Sequence, residues 1–217
     1  MRNRNQLLIG LAQLGLNLPA CSVDKLLLYC DELQKWNKKI NLLARDTPVE
    51  EIIEKHFLDS LTLLPLLTRP GSVGASLLDV GSGAGLPGLV VAVALPDLQV
   101  TLLEPRQKRT AFLRHIVRTL ALTNVLVREE RLEPGEKLAT EFTFITSRAV
   151  AAPDILLPML AQAVGPATRV ILMQAADDRQ FLASCPNWEF VESYQCQLPF
   201  SGHPRALTVV RKQPQSA

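Results

Sequence analysis

The sequence predicts an α/β fold in which a mostly parallel β-sheet follows a segment made only of helices. From Leu77 onward, short apolar runs alternate with helical stretches, and this alternation is typical of βαβ units around a parallel sheet. The last two apolar runs, 190–198 and 205–212, are separated by too few residues for a crossover helix. They therefore predict an antiparallel hairpin that completes a seven-stranded sheet. The five earlier runs, predicted as parallel strands, are 76–81, 100–105, 125–131, 142–149 and 168–175.

The N-terminal part of the chain shows helical periodicity alone. We expect one helix to begin at Ser22, because an apolar stripe follows it as far as Leu43, and Pro48 stands at the first turn of the next helix. A break rich in Pro and Gly then ends this pattern. The sequence therefore predicts two units, a helical cap over residues 1–70 and a sheet domain over residues 71–213.

The composition is that of an ordinary globular protein. The chain has 217 residues, of which 47% are hydrophobic and 20% charged, with a net charge of +2, so it can bury one large core. Its first residues imitate an export signal, but the leucines recur at helical spacing and polar residues interrupt them. We therefore predict an amphipathic helix and a cytoplasmic protein. No run approaches the ~20 apolar residues that span a membrane.

The cysteines and histidines lack the spacing of a metal site. The cysteines form no CxxC pair, and the histidines form no HExxH motif. We therefore predict no metal, and we interpret the cysteines as packing residues. The residues concerned are Cys21, Cys30, Cys185 and Cys196, and His56, His115 and His203.

A glycine-rich stretch, "LLDVGSGAGLPG" at 77–88, follows the first predicted strand and opens a helix. An open α/β sheet binds its ligands at this place. Two patterns fit the letters. Gly83, Gly85 and Gly88 satisfy the dinucleotide pattern GxGxxG, whereas Asp79 followed by Gly81, Gly83 and Gly85 resembles motif I of S-adenosylmethionine-dependent methyltransferases. In either case Glu104, which closes the second strand, is placed to accept hydrogen bonds from a ribose.

The C-terminal hairpin favours methyl transfer. A hairpin after the fifth parallel strand is typical of the Rossmann-like, seven-stranded class I methyltransferase sheet, and it fits poorly with two mirrored nucleotide-binding halves. We also find no Tyr/Lys or His/Asp pair suited to hydride transfer. A methyltransferase for another RNA, a protein or a small molecule, a nicotinamide-dependent oxidoreductase and a non-catalytic RNA-binding module remain as alternatives.

Two absences narrow the methyl acceptor. The sequence after the fourth strand reads "TSRAV" and lacks the Asn/Asp-Pro-Pro-aromatic run with which amine and amide methylases hold a planar NH2 group. Cys185 and Cys196 lie too late in the chain to supply the nucleophile of a cytosine-C5 enzyme. An acceptor with an exposed lone pair and no proton to lose needs neither device, since in-line displacement depends on alignment and electrostatics.

Basic residues cluster in two places and suggest phosphate contacts. A solvated helix face explains one such cluster equally well. The residues that we predict to contact a nucleic acid are Lys38, Lys39, Arg106, Lys108, Arg109 and Arg114.

Six motifs together resemble the bacterial 16S rRNA methyltransferase G family, also called glucose-inhibited division protein B. They are "WNKKINL" at 36–42, "HFLDSL" at 56–61, "LLDVGSGAGLPG" at 77–88, "TLLEPRQKRTAFLR" at 101–114, "LTNV" at 122–125 and "SRA" at 147–149. The resemblance implies methylation of guanine 527 of 16S rRNA at N7, with S-adenosyl-L-methionine as donor. It also implies that the partner is 16S rRNA or a 30S subunit intermediate, and we expect a monomer.

The resemblance also implies roles for particular residues. Arg148 would lie at the reacting end of the site, with a structural ion pair as the alternative. Trp36 is expected in the core, and His56 and Asp59 are expected to pair with each other or to cap the cofactor loop. The set expected to bind the cofactor is Asp79, Gly81, Gly83, Gly85, Leu86, Glu104, Leu132, Glu133 and Arg148. The family's fifth strand typically ends in Ala-Leu-Lys-Gly, and here Gln174 replaces the lysine.

Overall fold

The computed structural model describes residues 1–69, 74–138, 140–148 and 151–214. Its N-terminal part is helical, as the periodicity predicts. The segments are α1 (Arg2–Gln13), α2 (Ala20–Asn37), α3 (Val49–Glu51), π-helical turns over Ile52–Leu58, α4 (Asp59–Leu61) and α5 (Leu64–Leu67). The stretch from α3 through the π-helical turns to α4 is continuous, and no sequence pattern predicted its π-helical middle.

A seven-stranded sheet follows, with the strand order β3-β2-β1-β4-β5-β7-β6. The first five strands pair in parallel, and β7 pairs antiparallel with both β5 and β6. Both predictions, the parallel sheet and the C-terminal hairpin, are confirmed. The strands are β1 (Ser76–Val80), β2 (Gln99–Leu103), β3 (Val125–Arg128), β4 (Phe144–Ser147), β5 (Arg169–Gln174), β6 (Trp188–Gln197) and β7 (Pro204–Lys212).

Helix α6 (Gly88–Ala94) connects β1 to β2, α7 (Gln107–Thr119) connects β2 to β3, and α8 (Pro153–Leu160) connects β4 to β5. A 3₁₀ turn, Gln180–Ser184, precedes β6. The register places Val80 beside Leu103 of β2 and Ser147 of β4. The residues that directly follow these three strands therefore emerge at one edge of the sheet.

The core lies on both faces of the sheet. On one face, N-terminal helices pack with α6 and α7 around buried residues such as Leu26, Phe57 and Leu89. On the other face, α8 packs on Leu78 and Ile145. The boundary that the sequence predicted at residues 70 and 71 lies outside the described residues, so the division into two units stays a prediction.

Helix α2 differs from its predicted extent at both ends. It begins at Ala20, and Ser22 lies inside it, where the hydroxyl donates to the carbonyl of Val93 at 3.0 Å. It ends at Asn37, whose Oδ1 accepts the amides of Leu42 and Leu43 at 2.9 and 2.8 Å. The predicted helical stripe is therefore wrong beyond Asn37, because this side chain satisfies amides that have left the helix.

Candidate active site

A cavity of about 440 Å³ opens at the carboxyl ends of β1, β2 and β4. This size lies within the range of small-molecule sites. Its walls are formed by Leu42, Leu43, Val80, Gly81, Ser82, Gly83, Ala84, Leu86, Leu103, Glu104, Pro105, Arg106, Arg109, Glu130, Arg131, Leu132, Arg148 and Met159. The cavity therefore combines bare backbone, apolar side chains and a small number of charged groups.

The Glu104 carboxylate organises the floor of this cavity. The residue is buried, and its Oε2 accepts the amide of Gly83 while its Oε1 accepts the amide of Arg106, both at 2.9 Å. Arg109 Nη1 lies 3.9 Å from Oε2. Each carboxylate oxygen can accept a further hydrogen bond, so the group retains acceptor capacity toward a ligand in the cavity.

The four glycines of the loop have different structural reasons. Gly81 and Gly83 have φ values of 70° and 57°, a region in which side chains are strained. Gly88 has no such φ, but a Cβ there would lie 2.4 Å from Leu102 Cδ2. Gly85 has a positive φ of 85°, and a Cβ there would also lie 2.4 Å from Leu89 Cδ1 and 2.8 Å from the hydroxyl of Tyr29. Gly88 therefore serves packing, Gly85 serves both packing and the turn, and neither lines the cavity.

Asp79 lies beneath the glycine loop and does not line the cavity. Its Oδ2 accepts the amide of Gly88 at 3.0 Å, and its Oδ1 has no hydrogen-bond partner among the described residues. Burial raises the pKa of Asp79 to about 6, and the hydrogen bond from Gly88 opposes that rise. The structure therefore places this carboxyl where it shapes the loop from behind.

Tyr29 of α2 holds the same loop from the N-terminal helices. Its ring is fully buried and stacks on Phe57 at a centroid distance of 5.0 Å. Its hydroxyl donates a hydrogen bond to the carbonyl of Ala84. Burial raises the pKa of Tyr29 far above its ordinary value, so the hydroxyl remains a donor.

Arg148 lines the cavity and is at the same time bound to the N-terminal helical stretch. Its Nη1 donates to the carbonyl of Lys55 at 3.1 Å and to Asp59 Oδ2 at 3.3 Å, and its Nη2 lies 3.1 Å from His56 Nδ1. Arg148 therefore lines the cavity and also forms an ion pair, so its position fits both roles that the sequence suggested. His56 and Asp59 meet at its guanidinium, and their predicted pairing with each other is not observed.

His56 is placed to accept from Arg148, because an arginine has no acceptor atom. Burial, together with the Arg148 charge, lowers the pKa of His56 to about 4. The imidazole is therefore neutral near pH 7, and its proton lies on Nε2. The Asp59 carboxylate also accepts from Arg205 Nε at 2.6 Å, so it bridges two arginines.

The basic residues predicted to contact a nucleic acid lie mostly together. Arg106 and Arg109 line both the cavity and a neighbouring groove that also includes Lys39 and Lys108. A second groove, beyond Asn41, is lined by Lys38, Lys39 and Arg45. Shared residues connect the three depressions.

Arg114 lies apart from these depressions. Its Nη1 contacts Glu129 Oε2 at 3.1 Å, an ion pair across α7 and the end of β3. It does not line either groove.

Comparison with known proteins identifies the family. The model of the family described as rRNA small subunit methyltransferase G matches residues 22–206. The chain belongs to this family. A relative from Desulfotalea psychrophila, named ribosomal RNA small subunit methyltransferase G, is 42% identical over 95% of this chain and 97% of its own length. A relative of the same name from Syntrophotalea carbinolica is 36% identical, over 99% of each chain.

Solved structures agree on the fold of this methyltransferase G family member. An MtNAS variant in complex with S-adenosylmethionine aligns with a TM-score of 0.60 at 16% identity, over 90% of this chain and 78% of that chain. The C-terminal domain of precorrin-6Y C5,15-methyltransferase from Rhodobacter capsulatus gives 0.51 at 15%, over 78% and 92%. The sheet is therefore the seven-stranded class I methyltransferase sheet that the sequence predicted.

Not every residue that the family resemblance suggested reaches the cavity. Gly81, Gly83, Leu86, Glu104, Leu132 and Arg148 line it. Asp79, Gly85 and Glu133 do not, and Glu133 is exposed, with its amide bonded to Glu136 Oε2 at 3.1 Å. Gln174 also lies outside it, and its Nε2 donates to the carbonyl of Asp178 at 3.2 Å.

Sequence reasoning missed several cavity residues. Glu130 and Arg131 follow β3 and could have been found from the rule that ligands bind at the carboxyl ends of strands. Leu43 was assigned to the helical stripe, and Met159 of α8 carries no sequence signal. Because α8 reaches the cavity only through tertiary packing, no local sequence pattern indicates that Met159 lines it.

The remaining reactive groups lie elsewhere. Cys185 is buried, and burial raises its pKa; burial also raises the pKa of Cys196, and neither lines the cavity. Trp36, expected in the core, is partly buried and packs against Phe112 at 5.5 Å. Within the described ranges, no three His, Cys, Asp or Glu side chains are grouped to hold a metal ion. A search of the same ranges found no helix with the length and apolarity of a membrane span.

Proposed function

We propose that this protein transfers a methyl group from S-adenosyl-L-methionine to N7 of a guanine in 16S ribosomal RNA. One observation carries the proposal. In a chain of the methyltransferase G family, the glycine loop, the Glu104 carboxylate and Arg148 converge on one cavity at the carboxyl edge of the sheet. Backbone amides, an acid and apolar walls suit a nucleoside that carries an amino-acid tail.

The cavity residues fit the cofactor. Leu103, Pro105 and Leu132 provide apolar surface for a flat adenine, and Glu104 keeps acceptor capacity for ribose hydroxyls. The backbone near Gly81 is free of a side chain and admits close approach. Asp79, Gly85 and Glu133 lie outside the cavity; we assign Asp79 and Gly85 the role of shaping the loop, and direct contact remains a prediction for Glu133.

Methylation at guanine N7 makes modest chemical demands on the chain. When bound, S-adenosylmethionine supplies a methyl group on a positively charged sulfur. The N7 lone pair takes this methyl group, the bonding electrons stay with sulfur, and no proton leaves the acceptor. A general base is unnecessary, and His56 is not free to act as one through Nδ1 because Arg148 occupies that nitrogen. The residues of the site therefore act by alignment and electrostatics.

The grooves beside the cavity supply a surface for RNA. Lys38, Lys39 and Lys108 are exposed, and Arg106 leads from the grooves into the cavity. Contacts from such residues to phosphates release counterions, so RNA affinity falls steeply with salt. Arg114, paired with Glu129, contributes least to this surface.

A salt titration tests the RNA surface. The triple variant Lys38→Gln, Lys39→Gln and Lys108→Gln is expected to reduce the slope of log affinity against log salt by about 3. Arg211, which pairs with Glu189 on the outer hairpin, gives the matched control Arg211→Gln. An unchanged slope in the triple variant would show that RNA does not contact these grooves.

The particle that serves as substrate also belongs to the proposal. We propose that the protein acts in the cytoplasm, as a monomer, on 16S rRNA that is free or held in a 30S intermediate. Incorporation of tritiated methyl groups into 30S subunits and into naked 16S rRNA, followed by mapping of the modified base, tests this directly. Radioactive label in tRNA or protein, together with unlabelled 16S rRNA, would show that 16S rRNA is not the methyl acceptor.

A ligand comparison tests the cofactor separately. S-adenosylhomocysteine is expected to raise the melting temperature and NADH to leave it unchanged, since only a ligand of the native state stabilises it. A shift with NADH alone would favour an oxidoreductase. An RNA-binding module without catalysis would bind 16S rRNA but respond to neither ligand.

Arg148→Ala tests the reacting end. We expect loss of turnover in a variant that still folds, whereas Arg211→Ala, on an exposed side chain, keeps activity. Near-normal activity of Arg148→Ala would leave this arginine with a structural role alone.

A further inference from the structure

The carboxylate of Asp59 accepts hydrogen bonds from two arginines, one that follows β4 and one in β7. Asp59 is 4% exposed and begins α4. Its Oδ1 accepts from Arg205 Nε at 2.6 Å, and its Oδ2 accepts from Arg148 Nη1 at 3.3 Å. Arg148 directly follows β4, whereas Arg205 lies near the start of β7. One buried anion therefore holds two cations at the carboxyl edge of the sheet.

The contacts of Arg148 leave part of its guanidinium available. An arginine carries five N–H donors. Two on Nη1 are used by the Lys55 carbonyl and by Asp59, and one on Nη2 is directed at His56. The Nε–H and the second Nη2–H are not used in the contacts among the described residues. Because three donors are held on one side, the orientation of the other two is set by the helical stretch.

We propose that Asp59 is a positioning residue for methyl transfer, acting through Arg148. This inference rests on the proposed function and deepens it. Asp59 fixes the plane of the Arg148 guanidinium, so its remaining donors face the cavity in one orientation. Arg205 holds Asp59 from the opposite side and limits the rotation of the carboxylate.

The charge balance explains why a carboxylate is required. Two arginines and one buried aspartate leave one net positive charge beside the cavity, suited to an anionic or electron-rich group of the substrate. An asparagine of the same shape has one acceptor oxygen and a donor NH2. It can satisfy Arg205 or Arg148, and its NH2 group then faces the donors of the other.

Asp59→Asn tests the inference. We expect kcat to fall about 100-fold, because small misplacement of an aligned group has effects of that order, while the KM for S-adenosylmethionine and the Kd for S-adenosylhomocysteine change little. Glu51→Gln is the matched control, since it removes a carboxylate from the same helical stretch, where Glu51 forms a half-exposed pair with Lys55. It is expected to keep the wild-type kcat.

A second readout does not depend on activity. NMR of the arginine Nη–H groups, assigned through Arg148→Lys and Arg205→Lys, is expected to show restricted rotation of Arg148 in the wild type and fast rotation in Asp59→Asn. Asp59→Asn with a kcat within 3-fold of wild type, or with an immobile Arg148, would overturn the inference.

The two proposals can fail independently. A wild-type protein that methylates no 16S rRNA would refute the proposed acceptor, yet the NMR comparison would still decide whether Asp59 positions Arg148. Conversely, an Asp59→Asn variant that lost kcat, cofactor affinity and thermal stability together would indicate a structural role for Asp59. That result would overturn the inference and leave the proposed function intact.

Discussion

Tyr29→Phe tests how the N-terminal helices support the cofactor loop. The substitution removes the hydroxyl that donates to the Ala84 carbonyl and keeps the ring, which stacks on Phe57 at 5.0 Å and lies 6.4 Å from Phe112. Packing is therefore retained, and the change isolates one buried hydrogen bond. In the variant, the buried Ala84 carbonyl no longer accepts a hydrogen bond from residue 29.

The magnitude follows from this geometry. Leaving a buried acceptor without its donor costs about 1 to 3 kcal/mol. For a protein of this size, 1 kcal/mol corresponds to about 2 to 4 °C in melting temperature, so a cost of about 2 kcal/mol, the middle of that range, lowers the melting temperature by about 4 to 8 °C. A looser loop must also be ordered on binding, so S-adenosylhomocysteine should bind several-fold more weakly.

Calorimetry with and without S-adenosylhomocysteine measures both effects. Tyr194→Phe provides the control, because it removes the hydroxyl of a partly buried tyrosine on β6, away from the glycine loop. It is expected to leave the melting temperature within about 1 °C. Equal melting temperatures for Tyr29→Phe and wild type would refute the idea that this bond supports the loop.

Three further substitutions probe the same loop. Gly88→Ala places a Cβ 2.4 Å from Leu102 Cδ2 and should destabilise by about 1 to 3 kcal/mol in denaturant titrations, despite better helix propensity. Glu104→Gln leaves the amide of Gly83 or Arg106 facing an NH2 group, and S-adenosylhomocysteine should bind at least about 10-fold more weakly by calorimetry. Asp79→Asn should gain stability relative to wild type as pH rises from 4 to 7 in unfolding titrations.

The sign of the Asp79 prediction follows from its raised pKa. The folded protein binds the Asp79 proton more tightly than the unfolded chain, with a pKa of about 6 against the ordinary aspartate value of 3.8. Ionisation therefore destabilises the native state as pH rises through this window. His56, whose pKa is lowered to about 4, acts in the opposite sense, but it is present in both proteins and cancels in their difference. A pH-independent difference would contradict the raised pKa.

The sheet could be predicted from the sequence because its signals are local. Apolar runs such as the one around Leu78 are short and bounded by turns, and each lies a helix apart from the next. The carboxyl-edge rule placed the glycine loop with Gly81 and the strand end with Glu104 at one site, and the family resemblance added Arg148. These three residues do line one cavity.

The contacts of Arg148 could not be predicted in this way. Its partners Lys55 and Asp59 precede it by 93 and 89 residues, and the π-helical turns that present the Lys55 carbonyl have no sequence signature. The predicted end of α2 was wrong for a related reason. A single side chain, Asn37, competes for the amides of Leu42 and Leu43, and periodicity does not register that competition.

Motif residues also divide between structure and site. Asn124, in the motif at 122–125, directs its side-chain amide at the carbonyls of Ala92, Leu95 and Leu98, at 3.0 to 3.1 Å. It secures the end of α6 and the turn into β2, far from any role in chemistry. A family motif therefore includes residues needed for folding as well as residues of the site, and the motif alone does not distinguish the two.

The glycine loop shows how one short segment satisfies both constraints. At Gly85 and Gly88, neighbouring side chains, among them Tyr29 and Leu102, occupy the space that a Cβ would need. Gly81, Gly83 and Gly85 have positive φ values, and Gly81 and Gly83 form part of the cavity wall. Packing at one end fixes the backbone at the other, so a substitution at Gly88 should weaken cofactor binding without touching the cofactor.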